Sequence, residues 1–341
     1  MTHKTCVIGA GSWGTALAAH LARSAQSEDT VVLWGRDSDA MRAMQDNGVN
    51  ERYLPSQRLP DKLSYSSDLA FATSNAELLV VATPCQQFSQ LLTSLKHYPP
   101  SVRYLVWACK GMHHGRFPSD MFHTYNSSLQ LDDKAPDGAV ISGPSFAGEL
   151  VEGLPTATTI AANTISTADA VSARFHADNF RAYSSDDIIG VQMAGAFKNV
   201  YAIAAGISDG LGFGANARSA LITRGLAELM RLGHALGANP ATLTGLSGMG
   251  DLVLTCTDNQ SRNRRFGLAI GQGMDNDSAL ASIGQVVEGV NTANEAYQLC
   301  QKHGIDMPIV HEVYQVVHAH KKPADAVISL LQRAPKTEQQ L

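Results

Sequence analysis

The sequence predicts an α/β protein, with a doubly wound parallel sheet in residues 1–188 followed by an all-α C-terminal domain in residues 189–341. Two patterns carry this prediction. In the first half, short β-branched and apolar runs alternate with helical periods, as in βαβ units. After about Tyr183 strand patterns largely vanish and amphipathic helix patterns take their place. The length of 341 residues also fits two domains of ordinary size.

The first predicted strand and the turn after it form the most informative local pattern. Apolar residues 5–8 lead directly into Gly9-Ala-Gly-Ser-Trp-Gly14, and a helical stretch follows. In a Rossmann-like domain Gly9 permits a tight turn, Gly11 lets the backbone approach a pyrophosphate, and Gly14 lets the helix pack closely on the strand. The N–H groups of the first helical turn then face the phosphates. We predict a dinucleotide site here; the alternative is an ordinary glycine-rich loop.

The second predicted strand, residues 30–34, ends where a nucleotide-binding domain meets the adenosine ribose. Gly35-Arg36-Asp37 follows it. An acidic side chain at this point would accept hydrogen bonds from the ribose hydroxyls of NAD, whereas Arg36 offers a cationic fork to the 2′-phosphate of NADP. The sequence therefore favours NADP(H), and use of NAD(H) stays open because Asp37 is adjacent. In the alternative interpretation Arg36 is a solvated charge and Asp37 caps the next helix.

Three further predicted strands end in polar loops marked by glycine or proline. They cover residues 78–82, 104–108 and 139–141. In a doubly wound sheet these loops gather at one edge, where ligands bind. Lys110 follows one of these strands and Gly143-Pro-Ser145 follows another, so we expect Lys110, Gly143 and Ser145 beside a substrate. Each feature taken alone is ordinary in a loop.

The second half is predicted to be helical, with a domain boundary near residues 187–189. Helix patterns cover residues 190–206, 217–236 and 289–303. The first of them carries Lys198 and Asn199 within a run of small apolar residues, which indicates close packing. A buried lysine has a lowered pKa, because burial disfavours the charged ammonium, and it can transfer protons near neutral pH. A lysine whose ammonium reaches the surface fits the spacing about equally well.

Two other polar segments of the second half are candidate ligand-binding groups. Asp251 follows Gly248-Met-Gly250 and is either a functional acid or a helix N-cap. The segment Ser261-Arg-Asn-Arg-Arg265 puts cations beside hydrogen-bonding side chains. That combination suits a bidentate grip on a phosphate or carboxylate, with a solvated helix face as the alternative.

Composition and spacing argue against several classes of function. The formal net charge is −5 and no Lys/Arg-rich run occurs, so we expect no nucleic-acid binding. The five cysteines are odd in number and mostly lie in apolar runs, as expected of reduced thiols in a cytoplasmic protein. We find no secretory signal and no uncharged apolar stretch of about 18 residues that could span a membrane. We expect no metal site, because no acid or cysteine stands at ligand spacing from His113-His114.

Seven segments together make the chain resemble the bacterial NAD(P)-dependent glycerol-3-phosphate dehydrogenase family over essentially its whole length. They are GAGSWG, WACKG, ISGPSFA, VQMAGAFKNV, GFGANAR, GDLVLTC and SRNRRFG, which begin at residues 9, 107, 141, 191, 212, 250 and 261. Seven matches in the same order are far more specific than any one of them.

The resemblance implies which residues contact each ligand. The residues expected at the cofactor are Gly9, Gly11, Ser12, Trp13, Gly14, Arg36, Lys110, Ala147, Arg262, Val286 and Glu288. Those expected around the substrate are Lys110, Gly143, Ser145, Lys198, Asp251, Ser261, Arg262 and Asn263. Lys198 is the residue expected to transfer the proton.

The activity that the resemblance implies is reversible reduction of dihydroxyacetone phosphate to sn-glycerol 3-phosphate with NADP(H) or NAD(H). It further implies a cytoplasmic homodimer that feeds glycerophospholipid synthesis. In this scheme Lys198 donates the proton, Lys110 adds positive potential at the same oxygen, Asp251 orients Lys198, and Arg262 holds the substrate phosphate. Two alternatives stay open. They are a related β-hydroxyacid dehydrogenase, which would hold a carboxylate, and a catalytically silent NAD(P)-binding sensor.

Overall fold

The computed structural model describes residues 3–95, 99, 101–129, 135–333 and 337. The chain divides into two compact units. The first comprises Met1–Cys109 and Pro118–Ile188, and the second comprises Lys110–Phe117 and Ile189–Leu341. The segment Lys110–Phe117 therefore groups with the second unit, although it lies far from the rest of that unit in the sequence.

An eight-stranded sheet forms the centre of the first unit, which confirms the predicted doubly wound architecture. The strands are β1 (Lys4–Ile8), β2 (Thr30–Trp34), β3 (Val49–Asn50), β4 (Leu54–Arg58), β5 (Leu63–Ser66), β6 (Leu78–Val81), β7 (Tyr104–Trp107), β8 (Asp137–Ser142), β9 (Thr156–Ala162) and β10 (Phe180–Ser185). The sheet order is β10-β9-β8-β7-β6-β1-β2-β5, and β3 and β4 form a separate antiparallel pair. Neighbours in the large sheet run parallel except β8 and β9.

Helices cover the sheet and bury its central strands. They are α1 (Ser12–Ser24), α2 (Ser38–Asn47), α3 (Leu69–Thr73), α4 (Cys85–Ser94), α5 (Pro118–Ser128), α6 (Ala147–Glu152) and α7 (Ile165–Phe175). Every residue of β6 and β7 is buried, as expected of parallel strands with both faces covered. Because β1, β2, β6, β7 and β8 run in the same direction, the loops after them lie at one edge of the sheet.

Apart from the segment Lys110–Phe117, the regular secondary structure of the second unit is helical in its described residues. Its helices are α8 (Ile188–Gly210), α9 (Gly214–Leu236), α10 (Pro240–Thr244), α11 (Asp251–Thr257), α12 (Arg262–Gly271), α13 (Asn276–Ile283), α14 (Glu288–His303), α15 (Pro308–His318) and α16 (Pro323–Leu331), with a π-helical turn at Leu246–Gly250. The central helix is α8, whose Phe197 and Tyr201 side chains are fully buried. By length and composition α8 could cross a membrane, but 94% of its most apolar stretch of 18 residues is buried inside the protein. It is therefore the core helix of this unit.

Candidate functional site

The glycine turn after β1 has the geometry of a phosphate-binding turn. Gly9 has a φ of +119°, which favours glycine, and its N–H donates to the last residue of β2 (2.9 Å). A Cβ on Gly14 would overlap the carbonyl oxygen of Gly9, whereas no described atom lies within 4 Å of where a Cβ on Gly11 would stand. Ser12 and Trp13 begin α1, which has no side-chain cap. The open space at Gly11 beside a helix N-terminus fits the pyrophosphate of a dinucleotide.

The end of β2 separates the roles of two neighbouring charged residues. The Asp37 Oδ1 atom accepts hydrogen bonds from the N–H groups of Asp39 (3.1 Å) and Ala40 (3.0 Å), so this carboxylate caps α2. Arg36 beside it is exposed. The acid is engaged by its own helix, and the guanidinium is the cationic group that this strand end presents.

The loop after β8 is a tight turn that carries three predicted site residues. Gly143 has a φ of +149°, and a Cβ there would come within 2.9 Å of the Thr158 Cα atom. The Ser145 hydroxyl donates to the Gly143 carbonyl (3.0 Å), and Ala147 begins α6. All three lie beyond the carboxyl end of β8, at the sheet edge that also carries the glycine turn.

In the second unit, Lys110, Lys198 and Asp251 meet in an arrangement that we call the charged core. The Lys198 Nζ atom lies 2.5 Å from Asp251 Oδ1, and the Lys110 Nζ atom lies 2.8 Å from Asp251 Oδ2. Asp251 is fully buried, and the exposed fractions of the lysine side chains are only 10% for Lys198 and 12% for Lys110. One carboxylate thus binds two ammonium groups. The sequence left open whether the Lys198 ammonium is buried or reaches the surface. The structure shows that it is buried.

The pKa values in the charged core suit proton transfer. Burial lowers the pKa of Lys198 and the charge of Lys110 adds to this effect, while the Asp251 carboxylate opposes both, and the resulting pKa is about 8. Burial by itself would raise the pKa of Asp251, but the two ammonium groups outweigh it and hold that pKa below its ordinary value. Asp251 therefore stays ionised at neutral pH, and Lys198 can release or take up a proton close to that pH.

Asp251 is not the N-cap of its helix, which was the alternative for this residue. Gly250 occupies the cap position of α11, and no side chain caps that helix. Thr255, one helical turn later, donates its hydroxyl proton to the Asp251 carbonyl (2.6 Å) and lies 3.3 Å from Oδ1. The Asp251 carboxylate is thus directed at the lysines.

A chain of amide groups connects the charged core to two other helices. The Asn199 side chain donates to the Lys110 carbonyl (3.1 Å), and the Asn263 side chain donates to Asn199 Oδ1 (2.8 Å). The Gly289 N–H completes the chain by donating to Asn263 Oδ1 (2.8 Å). Asn263 was expected beside the substrate, and the contacts that it makes here are with protein groups. This chain fixes the main chain of Lys110 relative to α8, α12 and α14.

The arginines of the 261–265 segment divide into different roles. Arg264 is buried, bonds the Cys256 carbonyl (3.0 Å) and pairs with Asp209, so it supports the fold. Arg265 is exposed. Arg262 is half-buried and donates to Gln285 Oε1 (3.3 Å). Of the three, Arg262 combines partial burial with solvent access and remains the candidate for holding an anion.

Three other predicted residues, Ser261, Val286 and Glu288, lie in the same unit as Arg262. Ser261 is buried and caps α12 by accepting the Arg264 N–H (3.2 Å). Val286 is 50% exposed and Glu288 begins α14. Burial raises the pKa of Glu288, against the opposing charges of Arg262 and both lysines of the charged core.

Two features of the second unit were not identified from the sequence. Thr255 lies four residues after Asp251 on the same helix, a spacing that could have indicated contact. The sequence has no acid at ligand spacing from His113 and His114, and the fold brings Glu295 beside them. Only the fold brings Glu295 there, since it stands far away in the sequence.

Comparisons with known proteins agree over both units. The family model for the N-terminal part of NAD-dependent glycerol-3-phosphate dehydrogenase matches residues 4–168. The family model for the C-terminal part matches residues 187–328. A Thioalkalivibrio sulfidiphilus protein named glycerol-3-phosphate dehydrogenase (NAD(P)+) is 53% identical over 334 residues, which cover 97% of this chain and 98% of the relative. An Escherichia coli K12 protein of the same name is 50% identical and covers 97% of this chain and 96% of its own length.

Solved structures give the same picture. The crystal structure of glycerol-3-phosphate dehydrogenase from Coxiella burnetii is 43% identical, with a TM-score of 0.90 over 97% of this chain and 99% of that one. A D-mandelate dehydrogenase with bound NADH has a TM-score of 0.61 at 13% identity, covering 95% of this chain and 99% of that one. This second likeness concerns the fold alone.

Proposed function

This chain belongs to the NAD-dependent glycerol-3-phosphate dehydrogenase family, and we propose that it reversibly reduces dihydroxyacetone phosphate to sn-glycerol 3-phosphate with NADPH or NADH, feeding glycerophospholipid synthesis. The observation that supports this chemistry most directly is the buried charged core. A proton donor with a pKa of about 8 is matched to carbonyl reduction near neutral pH.

Lys198 is the proposed proton donor. When bound, the nicotinamide supplies the hydride to the carbonyl carbon, and negative charge then develops on the carbonyl oxygen. Lys198 donates its proton to that oxygen and becomes a neutral amine, and in the oxidative direction it accepts the proton back. Asp251 keeps the ammonium aligned through the 2.5 Å contact and stays ionised itself, so the proton remains available to the substrate.

Lys110 is the proposed electrostatic partner of Lys198 at the same oxygen. Its ammonium shares the Asp251 carboxylate and is held there in advance of the reaction. One preorganised hydrogen-bond donor at a developing oxyanion is worth roughly 2.7–4 kcal/mol in barrier height, and an ammonium group acts there in the same way. Asn199 supports this position by bonding the Lys110 carbonyl.

Arg262 is the proposed anchor for the substrate phosphate. Guanidinium groups bind phosphate oxygens with charge-assisted, often bidentate hydrogen bonds. Holding a phosphate that does not react fixes the carbonyl for proton transfer, so the contact contributes orientation as well as affinity. Ser261, Asn263, Gly143 and Ser145 are proposed to complete the substrate site.

The dinucleotide is proposed to bind at the glycine turn. The open space at Gly11 and the N-terminus of α1 suit its pyrophosphate. Arg36 suits the 2′-phosphate of NADPH, because it is exposed and the neighbouring Asp37 carboxylate is engaged in capping α2. The other proposed cofactor contacts are Ser12, Trp13, Lys110, Ala147, Arg262, Val286 and Glu288.

The proposed state of the protein in the cell is a cytoplasmic homodimer. All five cysteines are buried free thiols, which suits a reducing compartment. Size-exclusion chromatography with light scattering measures the assembly directly, and a monomeric mass over the working concentration range would contradict the dimer.

The test of the function is a spectrophotometric assay of NADPH and NADH oxidation with dihydroxyacetone phosphate, beside a β-ketoacid control. We expect turnover with the triose phosphate alone. Lys198→Ala should abolish turnover with a modest loss of cofactor affinity, while the exposed Lys302→Ala variant should behave as the wild type. An unchanged turnover number in Lys198→Ala would remove this residue from the mechanism. Preference for the β-ketoacid would indicate a hydroxyacid dehydrogenase instead.

A further inference from the structure

A second cluster of side chains, each with an atom that can bind a metal ion, lies in the second unit outside the charged core. His113 and His114 belong to the segment Lys110–Phe117, and Glu295 lies on α14. Each offers one ligand atom, and these three atoms all lie within 4.8 Å of one another. None of the three side chains takes part in the proposed dehydrogenase chemistry, so the cluster needs a separate explanation.

An unusual backbone turn brings the two histidines together. Adjacent side chains point apart in regular strands and helices. Here His114 has a φ of +52° and Gly115 one of +67°, and a short bridge between His113 and Arg116 closes the turn (3.0 and 3.2 Å). The imidazole ring centroids are consequently only 4.0 Å apart. A left-handed conformation is uncommon for a residue with a side chain, and such residues concentrate at functional sites.

Glu295 is fixed in place by the same turn. Its Oε1 atom accepts the N–H of His114 (3.1 Å), and its Oε2 atom accepts the N–H of Gly115 (2.5 Å). An ionised carboxylate has about four lone-pair positions, so these two bonds leave about two for another partner. Hydrogen bonds of this kind orient carboxylate ligands at metal sites.

We propose that His113, His114 and Glu295 form a binding site for a borderline divalent cation, with Zn²⁺ as its best-matched member. Two imidazole nitrogens and one carboxylate oxygen are a donor set that Zn²⁺ binds, with water as the fourth ligand. Mg²⁺ and Ca²⁺ prefer oxygen ligands throughout, so this set disfavours them. The chemistry of the donors, rather than net negative charge, selects the ion.

The geometry requires only a small adjustment. Tetrahedral Zn²⁺ with bonds of about 2.0–2.2 Å needs ligand atoms roughly 3.4 Å apart. The ligand atoms must therefore converge by up to about 1.4 Å from separations within 4.8 Å, and the side chains have the freedom to do so, because His114 is exposed and the other two are half-buried. The nearby positive charge is Arg116, which is exposed, so solvent and salt screen its repulsion.

Metal binding at this site would tie the segment that begins with Lys110 to α14. Glu295 already holds the tip of the segment by two hydrogen bonds, and Asn199 holds the Lys110 carbonyl. A coordinated ion would add a stronger link between this segment and α14. Because the ion binds the folded chain, it should also raise the thermal unfolding temperature.

The experiment measures Zn²⁺ binding to the full chain after treatment with a chelator, by competition with a chromogenic chelator at pH 7.5. The wild type should bind one equivalent that His113→Ala/His114→Ala lacks and that Glu295→Gln binds at least about tenfold more weakly. The control variant is His303→Ala, an exposed histidine on the same helix as Glu295, and it should bind as the wild type does. Mg²⁺ should not compete, and protonation of the imidazoles at pH 5.5 should release the ion.

Equal Zn²⁺ stoichiometry and affinity in the wild type and the double variant would overturn the proposal, as would loss of the equivalent in His303→Ala. If the double variant does not fold, His114→Asn serves the same comparison, because asparagine tolerates the left-handed conformation. None of these readouts depends on catalytic activity, so the result is independent of the proposed dehydrogenase function.

Discussion

Replacing Asp251 with asparagine should shift the pH dependence of catalysis rather than simply remove activity. The variant keeps the shape of the side chain and eliminates the negative charge that both lysines share. Burial and the charge of Lys110 both lower the pKa of Lys198, and Asp251 is the group that opposes them. Without that carboxylate the pKa of Lys198 should fall below its present value of about 8.

The size of the effect follows from the contact distance. An opposite charge within about 4–6 Å shifts a pKa by roughly 1–3 units, and the Lys198–Asp251 contact is 2.5 Å. A fall of about two units would reduce the protonated fraction of Lys198 at pH 8 from about one half to about 1%. The turnover number for reduction should then drop by about 50-fold at pH 8 and recover as the pH is lowered toward 6.

The assay is the turnover number for reduction of dihydroxyacetone phosphate at saturating NADPH, measured from pH 5.5 to pH 9 in constant ionic strength. The matched control is Asp277→Asn, an exposed acid of α13 in the same unit. Circular dichroism should verify that the Asp251→Asn variant is folded, since removing one partner of a buried ion pair destabilises by roughly 3–5 kcal/mol. A folded variant that loses activity equally at every pH would refute the reasoning, because Asp251 would then act by some route other than the Lys198 pKa.

Three further predictions concern other residues. Arg262→Ala should raise the apparent KM for dihydroxyacetone phosphate by roughly 10- to 100-fold, the equivalent of a lost charge-assisted hydrogen bond, and an unchanged KM in steady-state kinetics would exclude the phosphate contact. Arg36→Ala should weaken NADPH binding and spare NADH, so equal changes in the two titrations would contradict the 2′-phosphate assignment. Glu228 is 2% exposed, and burial raises its pKa to about 7 against an ordinary 4.5. Protonated Glu228 therefore contributes on the order of 3 kcal/mol to the free energy of unfolding. This contribution is complete below about pH 4.5 and is lost as the pH rises through about 7. Glu228→Gln should flatten this part of the pH dependence of the unfolding temperature, and identical slopes would show that Glu228 does not titrate there.

Local patterns were sufficient to predict the parallel sheet and the helical second half. The turn from Gly9 to Gly14 and the β-branched runs depend on short-range periodicity, which a sequence displays directly. The antiparallel pairing of β9 with β8 depends on tertiary packing, and no local sequence pattern predicts it. The grouping of Lys110–Phe117 with the second unit is of the same kind, because packing rather than chain order determines it.

The charged residues show the same division between local and tertiary information. Lys198 stood out because it interrupts an apolar run, yet the sequence could not distinguish burial from exposure of its ammonium. Arg264 and Arg262 are equivalent in sequence, and only the position of Asp209 identifies Arg264 as structural. Glu295 carried no signal at all, since its partners His113 and His114 are remote along the chain.

Two ammonium groups and one carboxylate leave the charged core with a surplus of one positive charge, although the whole chain is acidic. A net charge away from water is unfavourable, so the buried surplus charge lowers the stability of the second unit. In the proposed reaction negative charge develops on the substrate oxygen at these ammonium groups, so the bound substrate should offset that surplus. The substrate thus acts as a counterion for the charged core, and its binding should raise the unfolding temperature of the enzyme.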